Sequence, residues 1–391
     1  MTSQKLYGKL ILTISLCMLL ALGAIQLILN TIGVNSQGVL GRVIESRAAL
    51  AKIIKEPNEL VIFFGSSMTG AGFSPRQFDA NLSTLGKSVK SFNYGFGGLN
   101  PYFQDFLSRR IADEFIANDR KTTLTMIEFN PFQTTQTRWN RAIPVVDSFL
   151  TLLASDDELM TIAKDDLTRA IRLFNIKYLR GNISAEMFSS FFAREIFPPQ
   201  SHQTFKIDEE TVAQRHRLSG LLDEKFKEEY PNYQPTQWSY EWQGGGTIVE
   251  ERSAETMTLI NDYYAATQTD NQMKNDRLSR IRSADIEALH FEPLLVEHFI
   301  NIIKNFQRVS DNVEVIMLPK NSKWIKITPG GEQRLASVVK QIEQATGVKI
   351  RNHQNITEIT PAMYRDTTHL SRYRGDVAYT DYLVKQYQNL F

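Results

Sequence analysis

Ser67, Gly98, Asn130, Asp366 and His369 are of the types, and stand in the order, that acyl transfer through a serine requires. A serine hydroxyl is a weak nucleophile until a base takes its proton, and the His369 imidazole does that at neutral pH. The three-residue spacing of Asp366-Thr367-Thr368-His369 lets the carboxylate reach the imidazole of its own turn, hold the tautomer and stabilise the imidazolium. The backbone N–H groups of Ser67 and Gly98 and the side-chain amide of Asn130 would serve as the oxyanion hole of the tetrahedral intermediate. Each residue also has a structural reading. Gly65-Ser66-Ser67 after a strand is a common turn, and the glycines from Asn93 to Asn100 make a tight one. Asn130-Pro131 ends a strand, Asp366 suits a helix start, and His369 suits a surface.

The elements that would position these groups are readable from periodicity. Leu60 to Phe64 is a short continuous apolar run ending at Gly65, the pattern of a strand buried on both faces. A second strand is expected around Val89 to Phe92, a third over Thr123 to Phe129, a fourth over Val313 to Leu318 and a brief one at Val348-Lys349-Ile350. Helical spacing links Phe103, Phe106, Leu107, Ile111 and Phe115, then Leu294 to Phe306, then Leu335, Val338, Val339 and Ile342 behind Thr328-Pro329. Ser371 is expected to cap a last helix through Tyr387. Between roughly 133 and 293 the pattern is helical and aromatic, with a capping box at Ser155 to Glu158 opening one helix face from Leu159 to Phe174. Strand and helix alternation on both sides of this insertion predicts an α/β layered fold with a parallel sheet, whose chemistry gathers at the carboxyl ends of the strands. Gly95-Phe96-Gly97 lacks the third glycine of a dinucleotide fingerprint, since Asn100 stands there.

The ordered set resembles the SGNH (GDSL-type) hydrolases. Their four blocks fall on Ser67, Gly98, Asn130 and the pair Asp366 and His369, with Leu370-Ser371 and Gly375 following as in the family. The resemblance covers about 60–135 and 295–391 and implies a three-layer, flavodoxin-like catalytic domain over 59–391, interrupted by the 133–293 insertion. Ser66 stands where the family has an aspartate, Phe129 where it has a second glycine, and Gly95 competes with Gly98 for the second block. The Gly-Ser-Ser form with an amino-terminal anchor is most similar to the D-alanyl-lipoteichoic-acid transfer protein branch and to exopolysaccharide O-acyltransferases. That likeness implies an acylated glycan or other acyl donor as substrate and a membrane-bound O-acyltransferase as partner.

Leu10 to Val34 carries no charge and follows Lys5 and Lys9, so a transmembrane anchor over 1–34 is expected, with the amino terminus cytoplasmic and the rest periplasmic or otherwise extracytoplasmic. A cleaved signal peptide ending near Ala21-Leu22-Gly23 is the rival. Residues 35–58 read as a helical stalk. The chain balances 44 basic against 43 acidic residues, which argues against nucleic acid as a partner. Its one cysteine, Cys17, excludes an internal disulfide. His202, His216, His290, His298 and His353 show no zinc-binding spacing, and no cofactor or metal is expected. His353 could approach the site, Glu128 could support it, and Trp238, Tyr240 and Trp242 alternate as a sugar platform would. The expected function is an extracytoplasmic serine esterase or O-acyltransferase on cell-envelope polysaccharide. The alternative is a non-catalytic docking subunit of an envelope assembly complex.

Overall fold

The computed structural model of the protein describes residues 3–31, 38–140, 147, 150, 154–179, 204–229 and 252–391. His202, Trp238, Tyr240, Trp242 and the Gly244-Gly245-Gly246 break lie outside the described residues. The chain divides into two compact units, Met1–Ile44 with Ile143–Glu195, and Glu45–Ala142 with Ile196–Phe391.

In the larger unit, strands β1 (Glu59–Ser66), β2 (Val89–Phe96), β3 (Thr122–Glu128), β4 (Ser310–Met317) and β5 (Ile350–Asn352) form one all-parallel sheet in the order β2-β1-β3-β4-β5. This is a doubly wound order, with helices on both faces. On one face Val61, Phe63, Leu124, Met126 and Ile316 pack with Phe78 and Leu82 of a helix at Pro75–Thr84 and with Tyr379 and Leu383 of the last helix, Gly375–Tyr387. On the other, Phe64 meets Phe306 at 5.1 Å and Phe129 meets Phe299 at 5.0 Å, both partners lying on the helix Pro293–Gln307. Strands covered on both sides must be apolar throughout, which is why β1 reads as an unbroken run.

Register decides the geometry at the strand ends. Gly65 pairs with Gly95, and neither position has room for a side chain. A Cβ on Gly65 would lie 2.5 Å from Glu128 Oε2, and one on Gly95 would lie 2.6 Å from Gly70 Cα. Gly95 is therefore inside β2, which runs four residues past the expected Phe92 end. Gly98 is in the turn beyond, at φ +72, a left-handed conformation that glycine adopts without strain.

Other elements also differ from their sequence patterns. The face from Leu159 to Phe174 is split at Asp166 into helices Asp156–Asp165 and Leu167–Leu179, because the Asp166 carboxylate accepts the Arg169 N–H at 2.9 Å and starts a new helix. β5 lies two residues later than expected. Ser371 stands four residues before the last helix and reaches its first residue, the hydroxyl accepting the Gly375 N–H at 3.3 Å. That helix starts at Gly375, and the Ser371 hydroxyl donates to the Met363 carbonyl at 2.9 Å. The 35–58 segment contains the helix Gly38–Ile53, in which Ala49, Leu50 and Ile53 are buried. The insertion leaves the sheet at Thr134 to Gln136 and returns at His290 to Glu292, where Thr135 and Phe291 form an antiparallel bridge.

The amino-terminal helix, Ser3–Thr31, is long and apolar enough to cross a membrane, with a mean hydropathy of 1.8 over Tyr7–Ala24 and none of that stretch buried.

Candidate active site

Ser67 opens a short helix, Ser67–Gly72, at the carboxyl end of β1. Buried Ser66 caps that helix by accepting the Met68 N–H at 3.2 Å. What holds this turn is Glu128, the last residue of β3. Its buried carboxylate accepts the Ser66 N–H at 2.7 Å, the Ser66 hydroxyl at 2.7 Å, the Thr69 N–H at 3.1 Å and the Thr69 hydroxyl at 2.6 Å. Four donors on one carboxylate offset the cost of burying it. They also fix the angle at which Ser67 leaves the strand. The sequence alone allows Glu128 either support of the site or simple structural pairing. The structure makes it the anchor of the serine turn, in contact with Ser66 and Thr69.

Residues 302 positions apart meet at the serine: Ser67 Oγ lies 2.7 Å from His369 Nε2. On its other side His369 Nδ1 lies 2.8 Å from Asp366 Oδ2. With Nδ1–H donating to the carboxylate, Nε2 presents a lone pair to the Ser67 hydroxyl. Asp366 Oδ1 accepts the backbone N–H groups of Thr368 and His369, each at 2.8 Å. The three-residue spacing thus forms a tight turn around the carboxylate. Burial pushes the His369 pKa below its ordinary value, against the opposing pull of Asp366, so the imidazole is neutral at pH 7. Asp366 is itself held well below the usual carboxylate range: burial raises it, but the His369, Arg280 and Arg365 charges outweigh that.

Sequence reading missed Arg280 and Asp276. Both lie on a helix of the insertion, Asp270–Ala284. Arg280 Nη2 approaches Asp366 Oδ1 and His369 Nδ1, both at 3.3 Å, while its Nε donates to Asp276 at 2.9 Å. Asp276 in turn accepts the Thr367 N–H at 3.0 Å and the Thr367 hydroxyl. The insertion therefore braces the Asp366–His369 turn from outside the sheet. The one signal for it in the sequence is the i, i+4 spacing of Asp276 and Arg280, too common on helix surfaces to single out.

Asn130, two residues past the end of β3, lies beside this turn. Its amide donates to Ser66 Oγ at 3.1 Å and faces Met68 Sδ at 3.5 Å, while its Oδ1 accepts the Phe132 N–H at 3.0 Å. One N–H is therefore committed to Ser66 and the other meets a thioether, a weak acceptor. The Gly98 carbonyl accepts from Arg138 Nη2 at 2.8 Å, which pins the left-handed turn. Lys320, just past β4, is a further buried residue that sequence reading passed over. Among the described residues its Nζ has no hydrogen-bond partner; it stands 4.7 Å from the centre of the Phe132 ring, and burial pushes its pKa down to about 7.

His353, His298 and His290 have other partners. His353 is buried, 2.9 Å from the Tyr379 hydroxyl, and burial pushes it down to about 4. His298 pairs with buried Asp105 at 2.7 Å and His290 with Asp285 at 2.8 Å. Among the described residues no group of three histidine, cysteine or carboxylate side chains could hold a metal ion. No protein-family model matches the chain, and no curated protein matches it.

Proposed function

We propose that the protein is a serine esterase or O-acyltransferase of the SGNH type, anchored by its amino-terminal helix and working outside the cytoplasm on acyl groups of envelope glycans. The observation that carries this reading is the 2.7 Å approach of Ser67 Oγ to a neutral, carboxylate-held imidazole. A surface serine and a stray histidine have no reason to meet in this way.

In the proposed reaction Ser67 Oγ attacks the ester carbonyl carbon while His369 Nε2 takes the hydroxyl proton. Charge on the carbonyl oxygen is met by the N–H groups of Ser67 and Gly98 and by the Asn130 N–H that turns from the Met68 thioether, a contact given up at little cost. The intermediate collapses as the bond to the leaving alcohol breaks and His369 returns the proton to it. Water or a sugar hydroxyl then attacks the acyl-Ser67 carbonyl with His369 again as base; the bond to Ser67 Oγ breaks, His369 returns the proton to Oγ, and an acid or a new ester leaves. Asp366 holds the imidazole and balances its charge, and Arg280 acts as a positioning residue through Asp366.

The test is the full-length protein and its Ser67→Ala variant, assayed with a chromogenic acetyl ester and a serine-trapping phosphonate. Turnover and covalent labelling are expected in the parent and lost in the variant. Equal turnover and labelling in both would refute the assignment. Adding an oligosaccharide acceptor separates transfer from hydrolysis by whether acyl groups appear on the sugar.

A further inference from the structure

The insertion makes a pocket of 430 Å³ that the acyl-transfer chemistry does not use. Two of its walls are helices, Glu209–Glu229 and Ala254–Thr267, and the third is Arg372–Tyr373, the chain leaving His369. The floor is apolar and buried, formed by Leu222, Ile260 and Tyr264. Above it stand the half-buried rings of Phe226, Tyr263 and Tyr373. The rim carries Asp223, Lys227 and Arg372, all exposed.

These parts are held in place. Phe226 and Tyr373 meet at 5.3 Å with an interplanar angle of 61°. The Arg252 guanidinium lies 3.9 Å from the Tyr373 ring centre and 4.8 Å from that of Phe226. The Tyr264 hydroxyl accepts the Arg372 N–H at 2.8 Å. Tyr373 sits at φ +66, a left-handed backbone that a non-glycine residue adopts only when its surroundings hold it there. Ser219, Asp223, Phe226 and Lys227 share one helical face, so ring, carboxylate and ammonium point into the same space. Among the described residues Asp223 and Lys227 have no ion-pair partner. A rim of both signs over flat rings suits a ligand with apolar C–H faces and many hydroxyls that both donate and accept.

We propose that this pocket binds a segment of glycan and presents it to Ser67. The walls argue against the other occupants. The wall helices use their own backbone groups, so an extended peptide finds no ladder to join. An acyl chain would desolvate the charged rim without pairing it. Placement favours a substrate subsite, because the four residues from His369 to Tyr373 span at most about 14 Å. The proposal gives the glycan of the acyl-transfer reading a binding site and rests on that reading, but the binding step can be tested apart from the chemistry.

The experiment probes the full-length protein in detergent against an array of bacterial polysaccharides built from hexoses, hexosamines and hexuronates. The best binder is then titrated by calorimetry. Saturable binding is expected in the parent and in Ser67→Ala. A loss of about tenfold or more is expected in Tyr263→Ala and a smaller one in Lys227→Ala. Lys227 is exposed, so that variant tests the rim without risk to the fold. Binding to no polysaccharide on the array overturns the pocket, as does binding unchanged in both variants. Ester turnover without glycan binding sinks the pocket alone. Glycan binding without Ser67-dependent turnover sinks the esterase reading and keeps the pocket.

Discussion

Arg280 offers a perturbation whose size and sign follow from the geometry. Its guanidinium lies 3.3 Å from His369 Nδ1 and bridges Asp366 and Asp276. A cation so placed opposes protonation of the imidazole. At that distance two unit charges interact by roughly 5 kcal/mol at an effective dielectric of 20 and by about 1.3 kcal/mol in water. Two carboxylates bracket the guanidinium and cancel most of its field, so the lower figure applies. In the wild type the His369 pKa is already below its ordinary value because of burial. The rate depends on neutral His369, so activity rises as pH passes upward through that pKa. Arg280→Gln removes an opposing charge, raises the imidazole pKa and moves the rising limb to higher pH. The assay is the initial rate of chromogenic acetyl ester hydrolysis from about pH 4.5 to 9. Well above the limb the variant should approach the parental rate, because the neutral imidazole is restored there. Arg280→Lys keeps the charge and should leave the limb near its original place. Thermal unfolding at each pH separates a shifted limb from loss of folded protein. A limb that stays put or moves down in folded Arg280→Gln would refute the assignment of Arg280 to the field at His369.

Three further outcomes are expected. Glu128→Gln puts an amide N–H among the Ser66 and Thr69 donors, so it should cost about 2–3 kcal/mol of stability and slow the reaction at Ser67, read by denaturant unfolding and ester turnover. Gly65→Ala places a Cβ 2.6 Å from Glu128 Cβ and should cost about 1–3 kcal/mol or more, read as a lower unfolding midpoint; an unchanged midpoint would contradict the close packing of that turn. Lys320→Met removes a buried amine that the folded state holds neutral above about pH 7 while the unfolded chain keeps its proton up to 10.5. Stability of the parent therefore rises between those pH values, and the gain from Lys320→Met, about 1–4 kcal/mol, should be largest below pH 7 and shrink toward pH 10.

Local features were legible in the sequence because local sterics and burial cause them. The apolar runs of β1 and β3 and the stripe of Pro293–Gln307 are unbroken or periodic because neighbours cover them. Asp366 and His369 meet through a single turn, so their spacing alone announces the contact. The uncharged stretch after Lys9 needs no partner to be a helix long enough for a bilayer. Other features exist only because distant segments were brought together. Glu128 reaches Ser66 and Thr69 only through the register of β3 beside β1. The choice between Gly95 and Gly98 waited on where β2 ends, which the packing of the Ser67–Gly72 helix decides. Arg280 lies 86 positions before Asp366 on a helix whose sequence is ordinary, and the Asn130 amide turns toward Ser66 and Met68 by contacts that no spacing encodes. An alternating aromatic trio suggested the sugar platform, whereas the ringed pocket forms where two insertion helices meet the chain beyond His369. Spacing along a chain constrains what one turn or one strand can touch. Which carboxylate, cation or ring arrives from another element depends on how whole surfaces pack, and only the tertiary structure decides that.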